Sequence, residues 1–546
     1  MHRFPIYQEE EDRLAALKSA MNDDVLQEII DSTSELKKLQ AAEDSPEDIA
    51  TIPKLTLGDL KREVTEYPIE VTENEGNTGV TVVRHELATT SGIAYVDFGV
   101  DISGLSLSEV PLLPIFAKIT KEAGAGEYDD VALSRRIGTY TGGIDIQLLA
   151  SVVHPLGVDQ SECLDGAKMQ TKLFLRGKAT SEKVDELLSI MKLMLTDARL
   201  DSRSKVIEML RESKARIEAS IQGSGHSFAN TRMKARYEPS GYISEKLTGI
   251  SYLATVKELL KEAEEDWPKL LARLETIRNK ILKQSTCRDG MIINLTGDKN
   301  VFESIQPKVA EFLEGLLGDR TGEKLPNFYS EDHPWIVQAR EEMKEATPIE
   351  DEGFIVPTQV SYVGKGGKLY EAGEKVKGSS SVVARFLRTG YLWDYVRVIG
   401  GAYGGFCTFA PDLGFFSFLS YRDPNLGKTI DVYDAAADEL MKAADDLANN
   451  QEALETAIIG AFGDMDSVLS ADQKGWISLQ RWLSGETPEQ RQKWRDEVLN
   501  TKSEDFEAFA KRLKAMKAPS LAVISSKAAF ETAAKEGKGM KLVDVL

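Results

Sequence analysis

The sequence has little histidine, little cysteine and no long apolar run. Its 546 residues include three cysteines, Cys163, Cys287 and Cys407, which are widely separated and odd in number. They therefore predict neither a disulfide framework nor a CxxC metal site, and the chain suits a reducing compartment. No apolar run reaches the roughly 18 residues of a membrane-spanning helix. The sequence thus predicts neither a transmembrane segment nor a membrane partner.

The five histidines are too dispersed to form a helical zinc site. They are His2, His85, His154, His226 and His333, and no two lie within ten residues of each other. Helical zinc peptidase motifs pair two histidines one turn apart with a glutamate, as in HExxH or HxxEH, and neither pattern occurs. The sequence therefore predicts no metal or other cofactor held by this chain. A zinc site assembled from distant residues remains an open alternative.

Positive charge is also in short supply. The chain has 67 Lys and Arg against 88 Asp and Glu, a net charge of -21. Nucleic acid binding needs a concentrated basic face, so no nucleic acid partner is predicted. The acidity is compatible with a basic peptide substrate, but its contribution to solubility is the favoured explanation.

Motifs for phosphate binding or nucleophilic catalysis are missing as well. The stretches 223–226 (GSGH) and 364–367 (GKGG) match neither GxxxxGK[ST] nor GxGxxG after a strand. We interpret the first as a break between helices and the second as a hairpin turn. No GxSxG nucleophile elbow occurs. Cys407 lies in the apolar run FCTF, which indicates a buried core residue.

The pattern of apolar residues and turn signals predicts an α+β chain in four parts. Residues 1–52 read as a helical linker arm, with a helix already under way by Glu9, and their start resembles neither a signal peptide nor a transit peptide. Residues 53–325 read as one α+β domain, 326–352 as a linker rich in Gly, Pro and charge, and 353–546 as a second α+β domain. We expect mixed, mostly antiparallel sheets packed by helices.

The two α+β regions share an order of elements. Each reads as strand, helix, Gly-Gly turn, strand, strand, helices and closing strand. The sharpest local parallel is between 141–144 (TGGI) and 399–402 (IGGA), because each follows a helix and opens a strand. Matched regions of about 200 residues predict a duplicated domain, and the alternative is two domains that share this order by chance.

The segment 397–406 (RVIGGAYGGF) is the best candidate for chemistry. Arg397 falls near the end of a predicted helix, Gly400 and Gly401 permit a sharp turn, and Tyr403 opens the next strand. Arginine donates paired hydrogen bonds to carbonyl or carboxylate oxygens, and tyrosine can donate to a developing oxyanion. The alternative is structural: an arginine that complements a helix C-terminus, beside a core tyrosine.

This segment carries a family resemblance. The run 395–405 (YVRVIGGAYGG) resembles the C-terminal half of presequence proteases, which belong to the pitrilysin/insulin-degrading superfamily of clamshell zinc metallopeptidases and to the branch that includes falcilysin. The stretches 36–40 (LKKLQ), 139–144 (TYTGGI) and 223–228 (GSGHSF) are also similar to landmarks of that family. The resemblance covers nearly the whole chain.

The resemblance implies four homologous α+β domains in two halves that enclose a chamber for unfolded peptides. Zinc would be held by an N-terminal half, the partner of this chain, and Arg397 and Tyr403 would be catalytic and substrate-binding residues. We therefore expect half of an ATP-independent oligopeptidase that is inactive alone, located in the mitochondrial matrix or chloroplast stroma, or in the cytoplasm if bacterial. Self-association of an isolated half is expected from its exposed inner surface. The alternative is a non-catalytic peptide-binding or assembly subunit.

Overall fold

The fold is known from a computed structural model that describes residues 5–41, 45–73, 79–155, 157–287, 290–316, 327–345 and 350–546. The chain divides into two compact units, Met1–Asp59 and Leu60–Leu546. The first unit is helical, as predicted. Its helices are α1 (Pro5–Ala20), α2 (Asp23–Ala41) and α3 (Pro46–Ala50). Within the described ranges, no helix combines the length and the apolarity needed to cross a bilayer.

In the ranges given above, the second unit contains two sheets of six strands each. The strands of the first sheet are β1 (Glu70–Thr72), β2 (Thr81–Glu86), β3 (Ile93–Asp101), β4 (Ile144–Val152), β5 (Met169–Thr180) and β6 (Ile292–Gly297). The helices in this part of the chain are α4 (Leu113–Glu122), α5 (Asp130–Tyr140), α6 (Val184–Asp197), α7 (Arg203–Tyr237), α8 (Pro239–Thr248), α9 (Ile250–Glu265), α10 (Trp267–Cys287), α11 (Lys299–Leu316) and α12 (Pro334–Glu345).

The second sheet is built from the C-terminal part of the chain. Its strands are β7 (Glu352–Ile355), β8 (Tyr362–Lys368), β9 (Gly404–Ala410), β10 (Phe415–Tyr421), β11 (Ser520–Ser525) and β12 (Lys541–Asp544). The α-helices are α13 (Ser379–Thr389), α14 (Gly427–Ala448), α15 (Gln451–Met465), α16 (Ala471–Ser484), α17 (Pro488–Leu499), α18 (Ser503–Lys514) and α19 (Lys527–Lys535). A π-helix, Trp393–Ile399, lies between α13 and β9.

The two sheets have the same topology over five strands. Their orders are β1-β2-β6-β3-β5-β4 and β12-β7-β11-β8-β10-β9. Strands β2 to β6 match β7 to β11 in sequence order. Each matched set of five strands has one parallel pair, β2–β6 or β7–β11, followed by three antiparallel pairs. The predicted α+β class with mixed, mostly antiparallel sheets is confirmed. A shared topology of this complexity also favours duplication over chance.

Helix α7 connects the two cores. Val206, Met209 and Leu210 near its start are buried in the core of the first sheet. Ala229 and Met233 near its end are buried with residues of the second sheet. The predicted break between helices at 223–226 is confirmed, because the backbone of Ser224 is not helical (φ -138°, ψ 36°) and two helical segments of α7 meet there in a kink. One long, kinked helix therefore stays in contact with both sheets.

The predicted hairpin turn at 364–367 is wrong, because these residues form the middle of β8. The glycines of this strand allow neighbouring elements to pack closely against it. A side chain on Gly364 would lie 2.8 Å from Met233 Cε of α7, and one on Gly366 would lie 2.6 Å from the Phe416 carbonyl oxygen. Glycine clusters usually signal turns, but here they allow a helix and a neighbouring strand to approach the sheet closely.

The segment predicted as a linker, 326–352, is partly a packed helix. Trp335 and Ile336 of α12 belong to the core of the first sheet. His333 precedes this helix and is buried, with Nε2 2.9 Å from Thr171 Oγ1, and burial lowers its pKa to about 3. The sequence around these residues is polar and rich in Pro, so the few apolar anchors did not reveal the helix. The domain boundaries stay a prediction, and residues 326 and 346–349 lie outside the described ranges.

A buried ion-pair network reinforces the junction between α7 and the second sheet. Arg232 Nε donates to Glu352 Oε2 at 2.7 Å and Arg232 Nη2 to Glu352 Oε1 at 3.0 Å, while Arg236 pairs with the same carboxylate. Burial acts to raise the pKa of Glu352, but the two arginines outweigh it and hold that pKa below its usual value. Glu352 opens β7, so this carboxylate ties α7 to the sheet.

Replacing Glu352 with alanine should lower the free energy of unfolding by about 3 kcal/mol, because it leaves two partly buried guanidinium groups without their carboxylate. Urea unfolding followed by circular dichroism measures this change. The matched control is Glu350→Ala, which removes an exposed pair with Lys541 and should cost no more than about 1 kcal/mol. Equal effects of the two substitutions would contradict the assigned role of Glu352.

Candidate functional site

The candidate site begins with an irregular helix. The predicted helix that ends near Arg397 is not one regular α-helix, because α13 ends at Thr389 and a π-helix, Trp393–Ile399, follows it. Gly390 separates the two with φ -105° and ψ -98°, a conformation that most side chains disfavour. Short π-helical turns are rare and often occur at functional sites. Arg397 lies in the last turn of this π-helix, as predicted.

The turn after the π-helix depends on glycine. Gly401 has φ +77°, which glycine adopts without steric cost, so the predicted sharp turn at Gly400-Gly401 is present. Asn425 Nδ2 donates to the Gly400 carbonyl at 2.5 Å and holds the turn from the side. The buried carboxylate of Asp423 in turn accepts from the Asn425 amide at 2.8 Å and from Thr429 Oγ1 at 2.7 Å. A small buried network thus supports the turn.

The two glycines at the start of β9 have different surroundings. A side chain on Gly405 would lie 2.6 Å from Val396 Cβ and 2.8 Å from the Leu392 carbonyl oxygen. A side chain on Gly404 would meet nothing closer than 3.7 Å. Gly405 therefore lets the π-helix pack directly on β9, whereas the space beside Gly404 is open.

The structure brings Arg397 and Tyr403 together. The guanidinium carbon of Arg397 lies 5.9 Å from the Tyr403 ring centre and 3.9 Å from that of Trp393. The stacking of a guanidinium on tryptophan is a favourable cation–π contact that also limits where the planar group can point. Tyr403 is 67% exposed, so it is not the core tyrosine of the structural alternative. The catalytic and substrate-binding roles of both residues stay predictions.

Sequence reasoning missed three neighbours of this pair: Trp393, Tyr421 and Arg422. Tyr421 contacts the Tyr403 ring edge-on with 5.6 Å between ring centres, and the Arg422 guanidinium lies 5.3 Å from the Tyr421 ring. Arg422 has φ +48°, a strained conformation for a residue with a side chain. Trp393 stands four residues before Arg397, so helical spacing could have predicted their contact. Tyr421 and Arg422 are close to Tyr403 because β10 pairs with β9, which no local pattern predicts.

Two of the four histidines in the described ranges, His85 and His333, have both ring nitrogens engaged. His85 has both ring nitrogens in hydrogen bonds, Nδ1 with the Pro68 carbonyl at 2.7 Å and Nε2 with Asn294 at 2.8 Å. Both nitrogens of His333 are also engaged, since Nδ1 accepts from the Trp335 amide and Nε2 contacts Thr171. In the ranges that the structure covers, no three His, Cys, Asp or Glu side chains cluster as metal ligands would.

Family models and similar sequences agree on the relationship of this chain. Residues 6–259 match a model for the region associated with subfamily C of the M16 peptidases, and residues 351–527 match one described as "PreP C-terminal domain". Presequence protease 1, chloroplastic/mitochondrial, of Arabidopsis thaliana is 37% identical over 94% of this chain and 44% of its own length. The mitochondrial presequence protease of Yarrowia lipolytica is 26% identical over 92% of this chain and 47% of its own length. The chain thus spans about half the length of these relatives.

Solved structures share the fold at low sequence identity. The peptidase M16 inactive domain from Pseudomonas fluorescens matches with a TM-score of 0.55 and 14% identity, over 84% of this chain and 98% of that domain. A protease from Helicobacter pylori matches with a TM-score of 0.53 and 13% identity, over 84% of this chain and all of that one. The chain belongs to the M16 peptidase family. Within that family, it corresponds to the C-terminal half of a presequence-protease-like protein.

Substitution of Gly405 by alanine should destabilise the site, because the added methyl group would overlap Val396 and the Leu392 carbonyl. Overpacking of this kind costs about 1–3 kcal/mol, which urea unfolding can measure. Gly404→Ala is the matched control and should change the free energy of unfolding by less than about 0.5 kcal/mol. A larger loss for Gly404→Ala than for Gly405→Ala would contradict the packing described here.

Proposed function

We propose that this chain is the non-metal half of an ATP-independent zinc oligopeptidase that degrades targeting peptides and other short unfolded peptides in an enclosed chamber. The N-terminal half of the complete enzyme would hold zinc, and this chain would complete the chamber and contact the substrate. The observation that carries the proposal is the Arg397–Tyr403 pair, in which Arg397 is half-buried and Tyr403 is exposed, on a chain that matches about half the length of its presequence protease relatives.

The pair suits the stabilisation of charge on a substrate. A guanidinium group donates paired hydrogen bonds to carbonyl or carboxylate oxygens, and a phenol donates one to an oxygen that gains negative charge in the transition state. Trp393 stacks on Arg397, and this contact reduces the freedom that the arginine would lose on binding. Such preorganised donors act most strongly where a closed chamber excludes water.

The surface around the pair suits an unfolded peptide. Four further apolar or aromatic side chains of the π-helix are exposed: Trp393, Tyr395, Val398 and Ile399. Together with Tyr403 they form a surface that can accept peptide side chains without a fixed sequence. Contiguous exposed apolar surface of this kind usually marks a binding site, and it would also promote self-association of this half in the absence of its partner.

The names of the relatives support a proposal for the compartment. Those described above are named mitochondrial or chloroplastic presequence proteases. We propose the interior of an organelle, the mitochondrial matrix or the chloroplast stroma, for this protein as well. A cytoplasmic location applies if the source is bacterial.

A second candidate is a non-catalytic subunit that binds peptides or supports assembly. It is favoured by one observation, the fold similarity to a domain described as the inactive domain of an M16 peptidase, which this chain covers over 98% of its length. A purely structural subunit does not need an arginine stacked on Trp393 beside an exposed tyrosine, so we favour the first candidate.

The first candidate predicts that Arg397→Gln and Tyr403→Phe lower the turnover number of the complete enzyme by about a hundredfold each, with little change in KM. Loss of one donor to a developing oxyanion has this size of effect. The measurement is cleavage of a fluorogenic targeting peptide by this chain combined with the zinc-bearing half of the same enzyme. The chain alone should not cleave the peptide.

Arg388→Gln provides the matched control for this experiment. Arg388 lies on the neighbouring helix α13, half exposed and paired with Asp464, and its loss should leave turnover unchanged. Normal turnover in the Arg397 and Tyr403 variants, with altered peptide binding only, would favour the non-catalytic candidate. Chelator-sensitive cleavage by this chain alone would refute the assignment of zinc to another half.

A further inference from the structure

A cavity of about 750 Å³ lies away from the Arg397–Tyr403 site. It is bounded by the end of β4 and by helices α16 and α17. Protein pockets for small organic ligands typically have volumes of about 300–1,000 Å³, so the cavity has room for a molecule of a few residues or smaller. Its walls include the apolar side chains of Met465, Leu469, Ile477 and Trp494. Neither the proposed peptidase chemistry nor the fold requires an opening of this size.

Two arginines in this cavity have unused hydrogen-bond donors. Arg481 and Arg491 share one carboxylate, since Arg481 Nε lies 3.7 Å from Glu486 Oε2 and Arg491 Nε lies 3.9 Å from Glu486 Oε1. Both distances are longer than the donor–acceptor distance of a hydrogen bond. Arg491 Nη1 donates to the Thr65 carbonyl at 3.1 Å, and the Arg481 guanidinium donates to no side chain or carbonyl that the structure describes. Most donors of these two groups are therefore available.

The electrostatics of this cluster are unfavourable as it stands. Burial and then the nearby positive charge of Arg481 lower the pKa of Arg491. Burial raises the pKa of Glu486, against the effect of the two arginines. In contrast, the neighbouring Arg495 is fully used, because it forms a two-point pair with Asp466 at 2.8 and 2.6 Å. Arg481 and Arg491 thus repel each other without a tightly bound counter-ion between them.

We propose that this cavity binds the carboxylate group of a small organic acid or of a short peptide, held jointly by the guanidinium groups of Arg481 and Arg491. The organic part of the ligand lies against Ile477 and Trp494. Binding places a second carboxylate where Glu486 now makes only distant pairs, and it satisfies donors that are otherwise unused. The proposal does not depend on the proposed peptidase function, because it involves neither Arg397 nor Tyr403.

The same residues favour a carboxylate over a phosphate. Glu486 and Asp412 both line the cavity, and their charges would repel a dianion more strongly than a single carboxylate. The planar fork of arginine also matches a carboxylate in two-point geometry. An isolated inorganic anion would leave the apolar walls exposed to water, whereas an organic acid covers them.

Calorimetric titration of the 546-residue chain tests the proposal. The probes are acetyl-alanyl-leucine for a peptide end, glutarate for a small organic acid, acetyl-alanyl-leucine amide, which lacks the carboxylate, and inorganic phosphate. We expect one of the two acids to bind at least about tenfold more tightly than the amide and phosphate. A hydrogen bond to a charged group contributes about 1.5–3 kcal/mol, and about 1.4 kcal/mol corresponds to a tenfold change in affinity. The acid that binds identifies the source of the carboxylate.

Variants connect binding to the named residues. Arg481→Gln and Arg491→Gln should each weaken acid binding at least about tenfold. Glu486→Gln should tighten it, because it removes the competing negative charge, and a misfolded variant could not produce a gain. Arg211→Gln is the control. Arg211 lies on α7, where it is exposed and paired with Glu264, so its replacement should not change acid binding. Undetectable binding of both acids at about 10 mM, equal binding of the amide, or unchanged binding in a folded Arg481→Gln variant would overturn the proposal.

Discussion

The contact of helix α7 with both sheets is the constraint on which the rest of the second unit depends. The first half of α7 is buried against the first sheet, and the second half against the second. The change of direction occurs at Ser224, where Gly225 lies against the Tyr362 ring and Tyr362 donates from its hydroxyl to the Gln222 carbonyl at 2.5 Å. Because Tyr362 opens β8, the kinked helix fixes a central strand of the second sheet.

This arrangement reaches the candidate site through the sheet. Strand β8 pairs with β10, and β10 pairs with β9, which is the edge strand that follows Tyr403. The equivalent turn in the first sheet, between α5 and β4, also has a glycine with positive φ, Gly143 at +110°, but α5 is an ordinary α-helix. The duplicated fold thus supplies the turn twice. Only the second copy has the π-helix that presents Arg397 beside Trp393 and Tyr403.

Local signals explain which sequence predictions held. The sharp turn at Gly400-Gly401 was predicted correctly, because the positive φ of Gly401 is a local property of the backbone that glycine adopts without steric cost. The hairpin turn predicted at Gly364 and Gly366 was wrong. These residues are glycines because Met233 of α7 and the Phe416 carbonyl lie close to them, and both neighbours are distant in sequence. Trp335 similarly anchors a helix in a stretch whose composition resembles a linker.

The sequence by itself determined the α+β class, the repeated order of elements, the absence of a helical zinc motif and the position of Arg397 and Tyr403 around a glycine turn. These features depend on residue type, spacing and local backbone freedom, all of which are visible in one dimension. Only the tertiary structure decided that α7 joins both cores, that Tyr421 and Arg422 flank Tyr403, and that Arg481 and Arg491 face one cavity with Glu486. Those contacts connect residues by strand pairing and helix packing, and no local pattern encodes which distant side chains will meet.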